Sequence, residues 1–269
     1  MAADVVETVN YQEDSASPLT VSKPASFASG QRLIFVISQD GALLSSLTAP
    51  SGWTVITGGN VDISSQRDQS FYHDFTGSEP STWDFPYDGG SSVAGQLYRI
   101  TGADLTAAPV AATGNSNANL STMDSPSVTP TGSTDLLICA YSNFGGGTVL
   151  AYTAPSGMTD LGKTQVTGNH QCLAGAKQQL VSSSATGAKT WSGLSPTGGP
   201  AGTFSIAIKS ATGGGSTLNG DVSLTVTAGR TAAATLTAAA AATETATATI
   251  AATAITSSAR TSPATRKRR

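Results

Sequence analysis

Short stretches of alternating apolar and polar residues fill the first 210 positions of the chain. In residues 204–209, Phe, Ile and Ile alternate with Ser, Ala and Lys, which is the period of a strand with one buried face. Residues 33–37 and 136–140 are continuously apolar, as expected of central strands that are covered on both faces. Ser, Thr, Gly and Asp clusters separate these stretches, and 29 Gly and 12 Pro disfavour long helices. The pattern predicts an all-β fold.

One pentapeptide occurs twice in the chain. Thr-Ala-Pro-Ser-Gly forms residues 48–52 and again residues 153–157, and an apolar strand precedes each copy. The pair Thr-Trp follows both copies, at residues 82–83 and 190–191. This order predicts two internal repeats, roughly 1–112 and 113–212. Each unit could form its own small sandwich, or the units could intertwine as halves of one larger two-sheet β-sandwich of jelly-roll type, and we expect the second arrangement.

The composition changes after residue 212. A Gly-rich linker at 213–220 is followed by a low-complexity tail at 221–269 that consists largely of Ala and Thr. The tail has too little apolar bulk to form a core by itself. We expect it to be disordered or to be an oligomeric stem ordered by strand pairing between chains, and a helix is the third alternative.

Charge limits the classes of partner. Only 12% of the residues are charged, the formal net charge is −3, and the last four residues, 266–269, form the basic cluster. The remaining body is mildly acidic and would repel phosphate groups, so we expect no nucleic-acid binding by the folded body. The N-terminal residues lack the basic and apolar regions of a secretory signal, and no apolar stretch is long enough to span a membrane. We expect no membrane association.

Few residues suit catalysis. The two histidines, His73 and His170, lack metal-ligand spacing, and no Gly-x-Ser-x-Gly elbow is present. His73 and Asp74 are adjacent on a predicted strand and so point to opposite faces, which favours a solvent-facing structural role for the pair. Residues 157–164 match the P-loop pattern formally, but the preceding Pro155 and the first repeat indicate a turn and a strand. We expect no enzyme, with no catalytic residue, cofactor or metal.

Aromatic residues cluster in the first unit. Trp83 and Trp191 are equivalent across the repeats, which indicates core positions, but additional Phe and Tyr residues surround Trp83 only in the first unit. Sandwich proteins that bind sugars use Trp and Tyr rings as stacking platforms. If a glycan face exists, we expect it at Tyr72, Trp83 and Tyr87.

The order of these segments resembles a known family. Ser-Pro, a Gly-containing turn and an apolar strand are followed by Ala-Pro-Ser-Gly-Trp-Thr at 49–54 and Tyr-Arg-Ile-Thr-Gly-Ala-Asp at 98–104. A second round ends in Phe-Ser-Ile-Ala-Ile-Lys at 204–209. Over residues 1–212 this is similar to the β-sandwich structural proteins of tailed bacteriophages that infect actinobacteria, of the minor tail, fibre or head-decoration type.

The resemblance implies a non-enzymatic virion protein, either a surface appendage or a capsid decoration subunit. Its implied partners are other virion proteins and further copies of the same chain, with a trimer favoured, and its implied location is the virion, assembled in the bacterial cytoplasm. The family implies no catalytic residues. The alternative function is a carbohydrate-binding module that contacts host cell-wall or surface glycans.

Overall fold

A computed structural model describes residues 1–14, 17–40, 47–87, 92–116, 120–144, 150–166, 171–195 and 199–211. The predicted linker at 213–220, the predicted tail at 221–269 and His170 lie outside these residues. The described residues contain fifteen strands and no helix, which confirms the all-β prediction. They accordingly include no helix able to cross a membrane.

The strands are β1 (Asp4–Asp14), β2 (Leu19–Ser22), β3 (Arg32–Asp40), β4 (Thr54–Ile63), β5 (Gln66–Asp74), β6 (Thr82–Phe85), β7 (Ser92–Thr101), β8 (Val110–Ser116), β9 (Thr122–Ser125), β10 (Leu136–Phe144), β11 (Ala151–Thr153), β12 (Thr159–Gln165), β13 (Gln171–Gln179), β14 (Lys189–Ser195) and β15 (Ala201–Ile208).

These strands form two large and two small sheets. The large sheets have the strand orders β1-β7-β3-β5-β4 and β12-β13-β10-β15-β8, and the small sheets are β2-β6 and β11-β14-β9. All named pairs are antiparallel. Each sheet takes its strands from one half of the chain, where the first half is β1–β7 and the second half is β8–β15. The described backbone pairs across the halves only at a bridge between Ala103 and Ser210. The halves therefore do not intertwine by strand pairing, contrary to our expectation.

The four sheets stack in layers, and an apolar core lies between each pair of neighbouring sheets. The central core contains side chains from both large sheets, including Ile34 and Val36 of β3 and Ile138 of β10. A second core lies between the first large sheet and β2-β6, and a third lies between the second large sheet and β11-β14-β9. The order is thus small sheet, large sheet, large sheet, small sheet, which is a sandwich architecture.

The continuously apolar stretches occupy the positions that the sequence predicts. β3 lies between β7 and β5, and β10 lies between β13 and β15. Along β3, Ile34 and Val36 face the central core, whereas Leu33, Phe35 and Ile37 belong to the second core. Both faces of the strand are buried, so both sets of alternate positions are apolar.

A buried polar cluster crosses the central interface beside this core. The Asp68 carboxylate is fully buried and accepts hydrogen bonds from the Ser38 and Ser142 hydroxyls. It also accepts hydrogen bonds from Gln66 Nε2 at 2.9 and 3.0 Å. The Gln171 amide in turn donates to Ser38 Oγ. Ser142 and Gln171 belong to the second half, so the cluster connects the two large sheets.

Burial is the largest influence on the pKa of the Asp68 carboxyl group. It raises the pKa of the carboxyl group to about 6, although hydrogen bonds from Ser142, Ser38 and Gln66 to the ionised form oppose this shift. The close packing also requires glycine at position 202, because a Cβ there would lie 1.8 Å from Asp68 Oδ2.

We predict that the contribution of Asp68 to the free energy of unfolding falls as the pH rises from about 4 to about 6. The folded-state pKa of Asp68 lies above its unfolded value, so its contribution is complete at low pH and is lost as the pH rises through the folded value. The loss is at most about 3 kcal/mol for a difference of about two pKa units. Urea unfolding between pH 4 and pH 7 measures it.

Asp68→Asn is the matched control because the amide has a similar shape and does not titrate. The unfolding free energy of the unaltered chain minus that of Asp68→Asn should therefore fall between pH 4 and pH 7, because contributions common to both proteins cancel. An identical pH dependence in the two proteins would contradict the assignment to Asp68.

Candidate functional site

A cleft of about 490 Å³ opens beside β6 on the outer side of the first half. Its walls are the turn at 50–52, the end of β5, the loop at 76–80 and β6. The lining residues are Pro50, Ser51, Gly52, His73, Thr76, Ser78, Pro80, Thr82, Trp83 and Asp84. Clefts that bind small molecules have volumes of roughly 300–1,000 Å³. Two other clefts, of about 350 and 380 Å³, have no aromatic side chain in their lining.

Three aromatic rings pack together at this cleft, and two of them, His73 and Trp83, form its floor. The Trp53 and His73 rings are stacked, with centroids 5.4 Å apart and planes inclined at 28°. Trp83 meets Trp53 edge-on at 5.4 Å and His73 at 5.2 Å. β5 places His73 two residues after the core residue Phe71, and the period of two directs both side chains to the same face.

His73 is held in one orientation by the turn that carries the repeated pentapeptide. Its Nδ1 lies 2.7 Å from the Gly52 carbonyl oxygen, which can only accept, so Nδ1 carries the proton and donates. Gly52 has a φ of +84°, and a Cβ there would lie 3.2 Å from the imidazole ring. Both conditions favour glycine at this position.

The other imidazole nitrogen faces a carboxylate. His73 Nε2 lies 3.7 Å from Glu79 Oε1, which is longer than a hydrogen bond, and Nε2 has no hydrogen-bond partner among the described residues.

Glu79 closes the loop that forms one wall. Its carboxylate accepts hydrogen bonds from the Thr76 backbone amide, from Thr76 Oγ1 at 2.8 Å and from the Gly77 amide at 3.1 Å. Desolvation opposes ionisation of Glu79, but these hydrogen bonds outweigh it and lower the pKa of the carboxyl group to about 2. The loop is therefore fixed by an ionised side chain at neutral pH.

The rim of the cleft is polar and contains no cation. On β6, Asp84 Oδ1 accepts a hydrogen bond from Thr20 Oγ1 at 2.8 Å. Exposed hydroxyl groups of Ser51, Ser78 and Thr82 complete the rim, and no Lys or Arg is part of the lining. The arrangement offers acceptors and hydroxyl groups to a ligand but no positive charge.

The structure separates the three residues predicted for glycan contact. Trp83 lines the cleft, although only 3% of it is exposed. Tyr87 is 6% exposed and packs in the second core. Tyr72 packs against the central core on the other face of the large sheet, with the Arg32 guanidinium 4.9 Å above its ring. The three do not form one surface, and glycan contact by them stays a prediction.

The structure also corrects the predicted environment of His73. The residue is 5% exposed, so it does not face solvent, although the neighbouring Asp74 points to the opposite face and pairs with Arg32 at 2.6 Å. The aromatic stack that buries His73 includes Trp53, which lies 20 residues away in sequence. Periodicity alone could not assign that contact. By contrast, the P-loop-like segment forms a turn followed by β12, as predicted.

The described residues contain no group of three or more His, Cys, Asp or Glu side chains that could hold a metal ion. Comparisons with protein-family models, curated proteins and solved structures find no match to this chain.

We predict that Glu79→Ala loosens the 76–80 loop while the sheets remain folded. The substitution removes the acceptor of the Thr76 and Gly77 amides. A lost hydrogen bond to a charged group costs about 1.5–3 kcal/mol, so protection of these two amides from hydrogen exchange should fall at least about tenfold. Unchanged protection would contradict the role of Glu79, and the amides of β3 serve as the internal reference.

Proposed function

We propose that this chain is a non-enzymatic structural protein of a bacteriophage virion, either a surface appendage of the tail or fibre type or a capsid decoration subunit. The proposal rests on the resemblance of residues 1–212 to such proteins. The stacked sheets add support, because three buried cores and a cross-interface polar cluster suit a body that must keep its shape on a particle.

One observation favours display from a single attachment point. The Ala3 amide donates to Ser210 Oγ at 2.8 Å, and the Ala211 amide donates to the Gly102 carbonyl oxygen at 2.8 Å. The first and last described residues of the body therefore lie side by side. Attachment through either end would leave the rest of the body accessible.

The repeat architecture is part of the proposal. We infer that each half is a sandwich of jelly-roll type, because antiparallel pairs are nested as β1-β7, β2-β6 and β3-β5 in the first half and as β8-β15, β9-β14 and β10-β13 in the second. Nested pairing results when one long hairpin rolls up, as in a jelly roll. The shared strand order supports two copies of one unit.

The same proposal specifies what the chain assembles with. Partners are other virion proteins and further copies of this chain, with a trimer favoured, and the particle forms in the bacterial cytoplasm. The linker at 213–220 would join the body to a tail that pairs between chains.

We predict that light scattering after gel filtration gives a trimer for the full chain and a monomer for a version ending at Gly213. Removal of the tail removes the strands that we propose to pair between chains. If both proteins are monomers, self-association through the tail is contradicted.

Location is tested separately on purified phage particles. Mass spectrometry should detect the chain at several copies per particle, and gold-labelled antibodies against the body should decorate the tail or the capsid surface. Absence of the chain from particles whose host cells express it would contradict the virion role.

A further inference from the structure

The cleft beside β6 combines an aromatic floor with a hydroxyl-rich, cation-free rim. We propose that this cleft is a binding site for a neutral saccharide. It is a different surface from the Tyr72, Trp83 and Tyr87 set predicted from the sequence, and it includes only Trp83 of that set. The proposal is independent of the virion role, because a displayed body can bear such a site or lack it.

Apolar parts of the lining suit the C–H faces of a sugar ring. The half-buried Pro50 ring and the exposed Pro80 ring contribute these surfaces, and Trp83 adds the 3% of its surface that is exposed. Trp83 is held on two sides by Trp53 and His73, so its position is set before a ligand arrives. A preformed site avoids the entropic cost of ordering side chains on binding.

Polar parts of the lining offer mainly acceptors, which match sugar hydroxyl groups as donors. Asp84 Oδ1 accepts from Thr20, while its second oxygen accepts no hydrogen bond from the described residues. The hydroxyl groups of Ser51 and Ser78, both exposed residues, can accept as well. The Thr82 hydroxyl at the rim can donate as well as accept.

Charge selects against anionic ligands. Asp84 lines the cleft, Glu79 lies in its wall, and the lining has no Lys or Arg. Two carboxylates without a cation repel phosphate, sulfate and carboxylate groups. A neutral saccharide fits both the charge and the hydroxyl chemistry.

The second half lacks the same floor, so we expect one site per chain. At the repeated pentapeptide, Met158 follows Gly157 where Trp53 follows Gly52. The side chain near Gly157 is Gln178, whereas the side chain near Gly52 is His73. The ring stack that holds Trp83 therefore has no counterpart at that turn.

The test titrates the full chain with oligosaccharides of glucose, galactose, arabinose or N-acetylglucosamine. Chains of about two to four sugar units suit a cleft of this size. Calorimetry and tryptophan fluorescence should show saturable one-to-one binding of at least one probe. No saturable binding of any probe up to about 10 mM, which is weaker than any useful affinity, would overturn the proposal.

Two variants locate the site, and a third is the matched control. Asp84→Ala and Thr82→Val should each weaken binding at least about tenfold, equivalent to about 1.4 kcal/mol. Asp124→Ala removes the same kind of cross-strand pair in the other small sheet, where Thr190 Oγ1 donates to Asp124 Oδ1 at 2.6 Å, and should leave affinity unchanged. Equal weakening by Asp84→Ala and Asp124→Ala would overturn the site.

Thermal melting of each variant shows that it is folded, and Thr82→Val keeps a β-branched residue if Asp84→Ala does not fold. Inorganic phosphate is the anionic probe and should not compete. Competition by phosphate would overturn the neutral class of ligand. None of these outcomes bears on whether the chain is found in phage particles. The saccharide site and the virion role are therefore tested independently.

Discussion

The two large sheets depend on each other to bury their facing apolar surfaces. Ile34, Val36 and Tyr98 from the first half share one core with Ile138 and Phe204 from the second half. Each large sheet has its other face covered by its own small sheet, so separation of the halves would expose a complete apolar face to water. Asp68 adds specificity, because its buried carboxylate accepts hydrogen bonds from Ser38 and Gln66 of its own half and, across the interface, from Ser142 of the second half.

Much of the strand content could be predicted from the sequence, whereas strand partners could not. Alternating and continuous apolar stretches report how many faces of a strand are buried, and β3 and β10 are buried on both faces as expected. Periodicity contains no information about which half of the chain supplies a neighbouring strand. The prediction that strands of the two halves pair within shared sheets was therefore wrong, although the predicted sandwich layers are present.

The candidate site was less predictable because it depends on contacts between distant segments. The aromatic cluster around Trp83 was visible in the sequence, but adjacent residues on β5 face different layers, so Tyr72 and His73 separate. The repeated pentapeptide marked in the sequence the turn that holds His73, because the carbonyl oxygen of its last residue, Gly52, accepts a hydrogen bond from the imidazole. The roles of Glu79 and Asp84 could not be assigned from the sequence, because they come from a loop closure and a cross-strand pair.

The layered order places the proposed ligand cleft and the central interface on opposite sides of the first large sheet. Trp83 belongs to the outer core, and Asp68 belongs to the inner interface. A ligand can occupy the cleft without disturbing the surfaces that hold the halves together. A rigid body with an outward-facing site is compatible with display on a particle.

Differential scanning calorimetry of the full chain tests most directly whether the halves are one cooperative unit. If the shared core couples them, the body unfolds in a single transition whose calorimetric and van't Hoff enthalpies agree. Two resolved transitions, or a calorimetric enthalpy about twice the van't Hoff value, would show that the halves unfold independently and would contradict the account.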